Sequence, residues 1–145
     1  MYKTFFIFAA NFKEIYQMNV YPCLLCIGSN YDRPIHIEAA RKSLIQHFPD
    51  IRFGEEMETE AIGDRFYSPF SNQLAHFHTS LSINEVRAIL KEIESNNHRL
   101  AEDKAKGIVK LDIDILMFDH EVIKEDDLQR DYIQKGMKAL QISNN

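Results

Sequence analysis

The strongest constraint on this chain is the order of its patterns: from residue 20 onward, short apolar runs alternate with two stretches of helical spacing, uninterrupted by repeats or low-complexity linkers. Val20 to Ile27 reads as a first strand ending in the turn Gly28-Ser29-Asn30. Pro34 opens a helix in which Ile37, Ala40, Leu44, Ile45 and Phe48 recur at helical spacing, and Pro49-Asp50 ends it. Ile51 to Ala61 and Phe70 to Leu81 read as two further strands, joined by a polar loop containing Gly63, Asp64 and Pro69. Ser82-Ile83-Asn84-Glu85 has the spacing of a capping box and starts a second helix with the buried stripe Ile83, Val86, Ile89, Leu90 and Ile93. Ser95 to Val109 has no usable period and reads as a loop, before a fourth strand from Lys110 to Phe118. The order β-α-β-β-α-β is the split βαβ of a ferredoxin-like α/β sandwich: an antiparallel sheet with both helices on one face and the other face free for a ligand. Many unrelated functions use that architecture, so the chemistry must be argued from individual residues.

Composition narrows the classes. The chain has 145 residues, 45% hydrophobic and 27% charged, enough for one domain that buries a core without disulfides or structural metal. Its formal charge of −5, from 17 basic and 22 acidic residues, argues against a surface built to neutralise nucleic-acid phosphates. No apolar run approaches the roughly 20 residues that span a bilayer. The run from Phe5 to Ala10 is too short for a signal h-region and continues into Asn11, Lys13 and Glu14, so a cytoplasmic protein is expected. Cys23 and Cys26 spell C-x-x-C, but residues three apart in a strand face opposite sides about 10 Å apart. They read as two small core residues rather than a redox or zinc pair.

The densest chemical signal is Leu111-Asp112-Ile113-Asp114-Ile115. Residues two apart in a strand point the same way, so Asp112 and Asp114 present two carboxylates on one face roughly 7 Å apart. Repulsion and desolvation oppose that arrangement unless a cation offsets it, and hard divalent ions such as Mg²⁺ take such oxygen pairs together with substrate phosphates. A partly solvated sheet face is the alternative. Just upstream, Arg99, Lys104, Lys106 and Lys110 set four cations against Glu102 and Asp103, a net positive loop in a net acidic protein. A basic loop beside a carboxylate pair suits phosphoryl transfer, where catalysis is mostly positioning and charge neutralisation. Neither a G-x-x-x-x-G-K-[ST] nor a G-x-G-x-x-G motif occurs, so phosphates would be held by metal and side chains. His76-Phe77-His78 puts two imidazoles on one strand face, either half of a metal site or ordinary surface histidines, and no serine sits in a G-x-S-x-G elbow.

Taken together, the Cys-Ile-Gly-Ser-Asn end of the first strand, the Asn72 strand, the basic loop and Leu-Asp-Ile-Asp-Ile-Leu-Met-Phe-Asp-His-Glu-Val-Ile resemble the 6-hydroxymethyl-7,8-dihydropterin pyrophosphokinase family of folate biosynthesis. The similarity runs from about Val20 to Ile123. The resemblance implies a ferredoxin-like fold, ATP as co-substrate with two Mg²⁺ ions, and transfer of pyrophosphate from ATP to the pterin hydroxymethyl group with release of AMP. By position it implies Asp112 and Asp114 as metal ligands and Asn72 as hydrogen-bond partner of the pterin ring. It likewise implies Phe70 as a nearby aromatic, Thr59 and Ile62 as backbone contacts to the pterin, and Arg99 as the first arginine of the catalytic loop.

The sequence also departs from the family pattern. Where the family has an arginine three positions before the first metal aspartate, this chain has Val109, with Lys110 beside it, and other basic or aromatic loop positions read Ala101, Ala105 and Lys106. Family Pro-His and Arg-Gly-Phe segments are replaced by Arg130-Asp131-Tyr132 and Lys135-Gly136-Met137, leaving Met137 in the place of a pterin-stacking phenylalanine. Three readings follow: a short, divergent enzyme in which Lys104, Lys106 and Lys110 stand in for arginines; a weak or inactive paralogue that binds a pterin-like or nucleotide ligand; or a ferredoxin-like interaction domain with no small ligand, which would leave the Asp112/Asp114 pair unexplained. The expected organisation is an N-terminal extension over 1–19, with Met18 as an alternative start, and a C-terminally shortened domain over 20–145. It is expected to act on small molecules as a monomer or weak homo-oligomer, without nucleic-acid or membrane partners.

Overall fold

The structure, a computed structural model, describes residues 19–61, 63 and 66–143. Nearly all of the expected N-terminal extension, with Met18, lies outside the described residues, as does Ile62. The central strand β1 (Tyr21–Ser29) lies between β4 (Phe70–Thr79) and β5 (Asp112–Phe118), antiparallel to both. The short strands β2 (Arg52–Phe53) and β3 (Met57–Thr59) both pair with β4, and β6 (Glu121–Val122) forms a hairpin with β5. Helices α1 (Arg33–His47) and α2 (Ile83–Ser95) complete the ferredoxin-like order.

Alternation along β1 separates two cores. Cys23, Leu25 and Ile27 face α1 and α2 and join Ile37, Ala40, Leu44, Val86, Leu90 and Ile93, with Phe48 stacked on Phe77 at 3.9 Å. Ile45 is half exposed, because one step of about 100° past Leu44 turns it to solvent. The capping box forms as its spacing predicts: Ser82 Oγ accepts from Glu85 N at 3.2 Å, and Glu85 Oε1 accepts from Ser82 N at 2.8 Å. On the opposite face Leu24, Leu74 and Leu116 meet Leu128, Ile133, Met137 and Leu140. These come from α3 (Glu125–Leu128), α4 (Asp131–Ala139) and the residue that follows. The second face is therefore covered across its middle and open at both ends.

The expected second strand is broken. Phe53 pairs with Ala75 and Met57 with Asn72, so four steps on one strand oppose three on β4, a bulge that re-aims Thr59 beside the open face. Gly54 bridges the break, its N–H donating to Leu74 O at 2.9 Å and its carbonyl accepting from Gln73 Nε2 at 2.7 Å.

Candidate active site

The end of the second face beside Gly28 is built by register. Cys26 stands between Leu74 and Asp114, and Gly28 between Asn72 and Asp112, so the side of β1 that turns from the helices brings the asparagine and both carboxylates together. They line a cleft of about 220 Å³, whose wall also includes Thr59, Phe66, Phe70, Asp127, Arg130 and Tyr132. Gly28 lets the two strands' polar groups close up, since a Cβ on it would stand 3.2 Å from Asn72 Oδ1, a tight contact that the amide would have to yield to. Asn72 Nδ2 donates to Thr59 Oγ1 at 2.6 Å, which fixes the amide and leaves Oδ1 over Gly28. The rings of Phe66 and Phe70 meet edge to face at 5.3 Å. Cleft and wall together offer an oriented amide, aromatic edges and an acid pair.

Burial, followed by the charge of Asp112, pushes the Asp114 carboxyl up to about 6, and burial raises Asp112 as well. Among the described residues the cation paired with Asp114 is Lys124, at 3.8 Å and half exposed, too weak a partner to offset two carboxylates. A hard, oxygen-only pair short of positive charge fits Mg²⁺, which commonly takes one or two carboxylates and completes its shell with water and substrate phosphates. No group of three or more His, Cys, Asp or Glu side chains that could hold a metal ion gathers among the described residues. The backbone between the two aspartates is held by a residue the sequence did not point to: buried Glu94 accepts from Ile113 N at 2.7 Å and lies 3.6 Å from Arg99.

The basic segment is more ordered than its lack of periodicity suggests. Residues Ala101–Lys106 form a 3-10 turn pinned by buried Asp103, which accepts from Leu100 N at 2.9 Å and is thereby held below the usual carboxylate range. Its root is fixed from β1: Asn30 Oδ1 accepts from Val109 N at 2.7 Å, and Asn30 Nδ2 donates to Gly107 O at 2.9 Å. That gives the Gly28-Ser29-Asn30 turn its structural purpose. Arg99, Lys104 and Lys110 line a second cavity, of about 600 Å³, that shares Phe66 with the first. Arg99 is half exposed and donates to Leu111 O at 3.3 Å, whereas Lys104 and Lys106 are exposed. Lys110 is engaged, donating to His98 O at 2.9 Å with Asp103 at 3.5 Å, and so does not project toward the acid pair as a free cation.

Met137, expected in the place of a pterin-stacking aromatic, is 2% exposed, packs in the second core against Leu74 and Ile133 and does not line the cleft. Tyr132, Arg130 and Asp127 line the cleft instead, with Arg130 Nη2 3.3 Å from Asp127 Oδ1. The Ile133–Met137–Leu140 spacing marks α4 as amphipathic, but Asp127 and Arg130 lie in and just after the four-residue α3, and no local period reports their place on the cleft. The cysteines are free and face opposite sides of β1, as their spacing predicts, but only Cys23 is a core residue; Cys26 is partly buried and lines the cleft, and burial pushes each thiol up to about 12.

No helix among the described residues is long and apolar enough to cross a membrane. A search of curated proteins finds no match. Among solved structures, that of a de novo designed protein with a ferredoxin fold aligns at a TM-score of 0.29 and 13% identity, covering 69% of this chain and 87% of that one. Residues 24–142 match the family model described as 7,8-dihydro-6-hydroxymethylpterin-pyrophosphokinase (HPPK), a span that takes in β4, β5, the basic turn and both helices of the second face. The chain belongs to the HPPK family.

Proposed function

We propose that the chain transfers the β,γ-diphosphoryl group of ATP to the hydroxymethyl oxygen of 6-hydroxymethyl-7,8-dihydropterin, a step of folate biosynthesis. The observation that carries this reading is that Asp112 and Asp114 share one cleft with the Asn72–Thr59 pair and the Phe66–Phe70 edge. A flat, polar heterocycle fits the amide and aromatic end, with its hydroxymethyl arm toward the carboxylates. In the transfer, the hydroxymethyl oxygen bonds to the β-phosphorus. The bond from that phosphorus to the α–β bridging oxygen breaks, AMP leaves with the electron pair, and the hydroxyl proton passes to solvent.

Asn72 and Thr59 bind and orient the ring, and Phe66 with Phe70 excludes water from its edge. Asp112 and Asp114 would hold two Mg²⁺, which when bound supply charge neutralisation and alignment of the triphosphate. Glu94 fixes the strand between them through Ile113 N. Arg99 and Lys104, which line the loop cavity, would meet phosphate oxygens there, with Lys106 exposed on the same turn and Lys110 holding its base.

A second reading, a protein that binds pterin or nucleotide but transfers slowly, is favoured by two observations: Val109 occupies the position of the family arginine, and Lys110 is bound to Asp103. A lysine cannot reproduce a bidentate guanidinium clamp on phosphate. Losing such groups costs several kcal/mol of transition-state stabilisation, about a thousandfold in rate. AMP formation from ATP, Mg²⁺ and the hydroxymethyl-dihydropterin decides between them. The enzyme reading expects AMP above background and none with Asp112→Ala. Calorimetric binding of either ligand without AMP leaves the second reading, and binding of neither rejects both.

A further inference from the structure

His76 and His78 lie on the same sheet face as the cleft but at its other end, and the proposed transfer does not use them. Asn72, Leu74, His76 and His78 share one face of β4, opposite Gly28, Cys26, Leu24 and Pro22. His76 is thus about 13 Å along the strand from Asn72, with the Leu74 core between. Three observations converge on the pair. First, the two rings stand 5.1 Å apart, centroid to centroid, with planes at 86°. Two imidazoles on one tetrahedral ion at the usual zinc–nitrogen distance have centroids about 5 Å apart. Second, His76 Nδ1 is buried and has no hydrogen-bond partner among the described residues. A buried nitrogen without a partner calls for an explanation, and a bound ion is one. Third, Asp50 Oδ2 lies 3.1 Å from His78 Nδ1 and also 3.1 Å from His78 N. A carboxylate on Nδ1 fixes the proton there and leaves the Nε2 lone pair free, the arrangement that orients histidine ligands in metal sites.

We propose that His76 and His78 chelate one divalent transition-metal ion of zinc-like softness, in an open two-imidazole site oriented by Asp50. The rings line a cavity of about 380 Å³ together with Arg52 and His120, which leaves room for water or a small ligand in the remaining positions. No third protein ligand completes the set among the described residues, so the site is a chelate and not a closed structural centre. Imidazole selects such ions over Mg²⁺, which prefers oxygen, so the two ends of the face would sort metals by ligand chemistry.

The test is calorimetric titration of Zn²⁺ into the metal-stripped full chain in excess Mg²⁺. One Zn²⁺ per chain is expected, weakened at least about tenfold by His76→Gln or His78→Gln and about tenfold by Asp50→Asn. Asp112→Ala is expected to leave it unchanged. On the wild-type chain, which removes any question of variant folding, Zn²⁺ should perturb the ring resonances of His76 and His78 and spare those of His36 and His47. Absence of saturable binding, binding that survives the double histidine variant, or binding lost with Asp112→Ala would overturn the proposal.

Discussion

Replacing Asp114 by Asn should make the metal-free protein more stable while removing its response to Mg²⁺. The Asp114 carboxyl stands at about 6 instead of 3.8, first through burial and then through the charge of Asp112. A displacement of that size corresponds to about 3 kcal/mol at neutral pH. The side chain is 31% exposed, so solvent screening leaves about 1–2 kcal/mol. The sign follows from the direction of the shift. The fold favours the neutral carboxyl, so its contribution to stability is fully present below 3.8 and is lost as pH rises through about 6. At pH 7.5 in a chelator, Asp114→Asn should therefore raise Tm by about 3–8 °C. The gain should vanish at pH 3.5, where both proteins carry a neutral group. Adding Mg²⁺ should raise Tm for wild type alone. If Asp114→Asn lowers the metal-free Tm at pH 7.5, or if Mg²⁺ stabilises both proteins equally, the carboxylate pair is not a cation site held apart from its ion.

Three further outcomes follow from the packing and the loop. Met137→Ala should cost about 2–4 kcal/mol in chemical denaturation through cavity formation in the second core, with pterin affinity of the folded protein unchanged; intact stability with weakened pterin binding would make Met137 a ligand contact after all. Asn30→Ala should cost about 2–3 kcal/mol, because Val109 N–H loses its acceptor, and hydrogen exchange at Val109 should quicken. Val109→Arg should raise the rate of AMP formation at least about tenfold, equivalent to about 1.4 kcal/mol; an unchanged or slower rate would show that the loop does not need a guanidinium there.

The parts of the fold legible in the sequence are those set by local rules. Ser82 and Glu85 cap α2 through contacts three residues apart, and Asp112 and Asp114 face the same way because strand side chains alternate. What was not legible depends on distant partners. The order in the basic segment comes from Asn30, 77 and 79 residues away from the groups it binds, and no periodicity within the segment reports that. The break between β2 and β3 is a register mismatch against β4, invisible without the partner strand. Helix α3 has only four residues, too few to show a period, so the cover it and α4 place over the second face, and with it the burial of Met137, could not be read from spacing alone. Glu94 reads in sequence as one more polar position on an amphipathic helix, and only the position of β5 turns it into a support for the acid pair.

Diphosphoryl transfer at one cleft is tested most directly by following the β-phosphorus. With ATP labelled at the β-phosphate, Mg²⁺ and hydroxymethyl-dihydropterin, the label should appear in the pterin product, with unlabelled AMP formed in equal amount and neither product formed by Asp112→Ala. Label recovered in ADP or free pyrophosphate, or transfer that persists in Asp112→Ala, would contradict it.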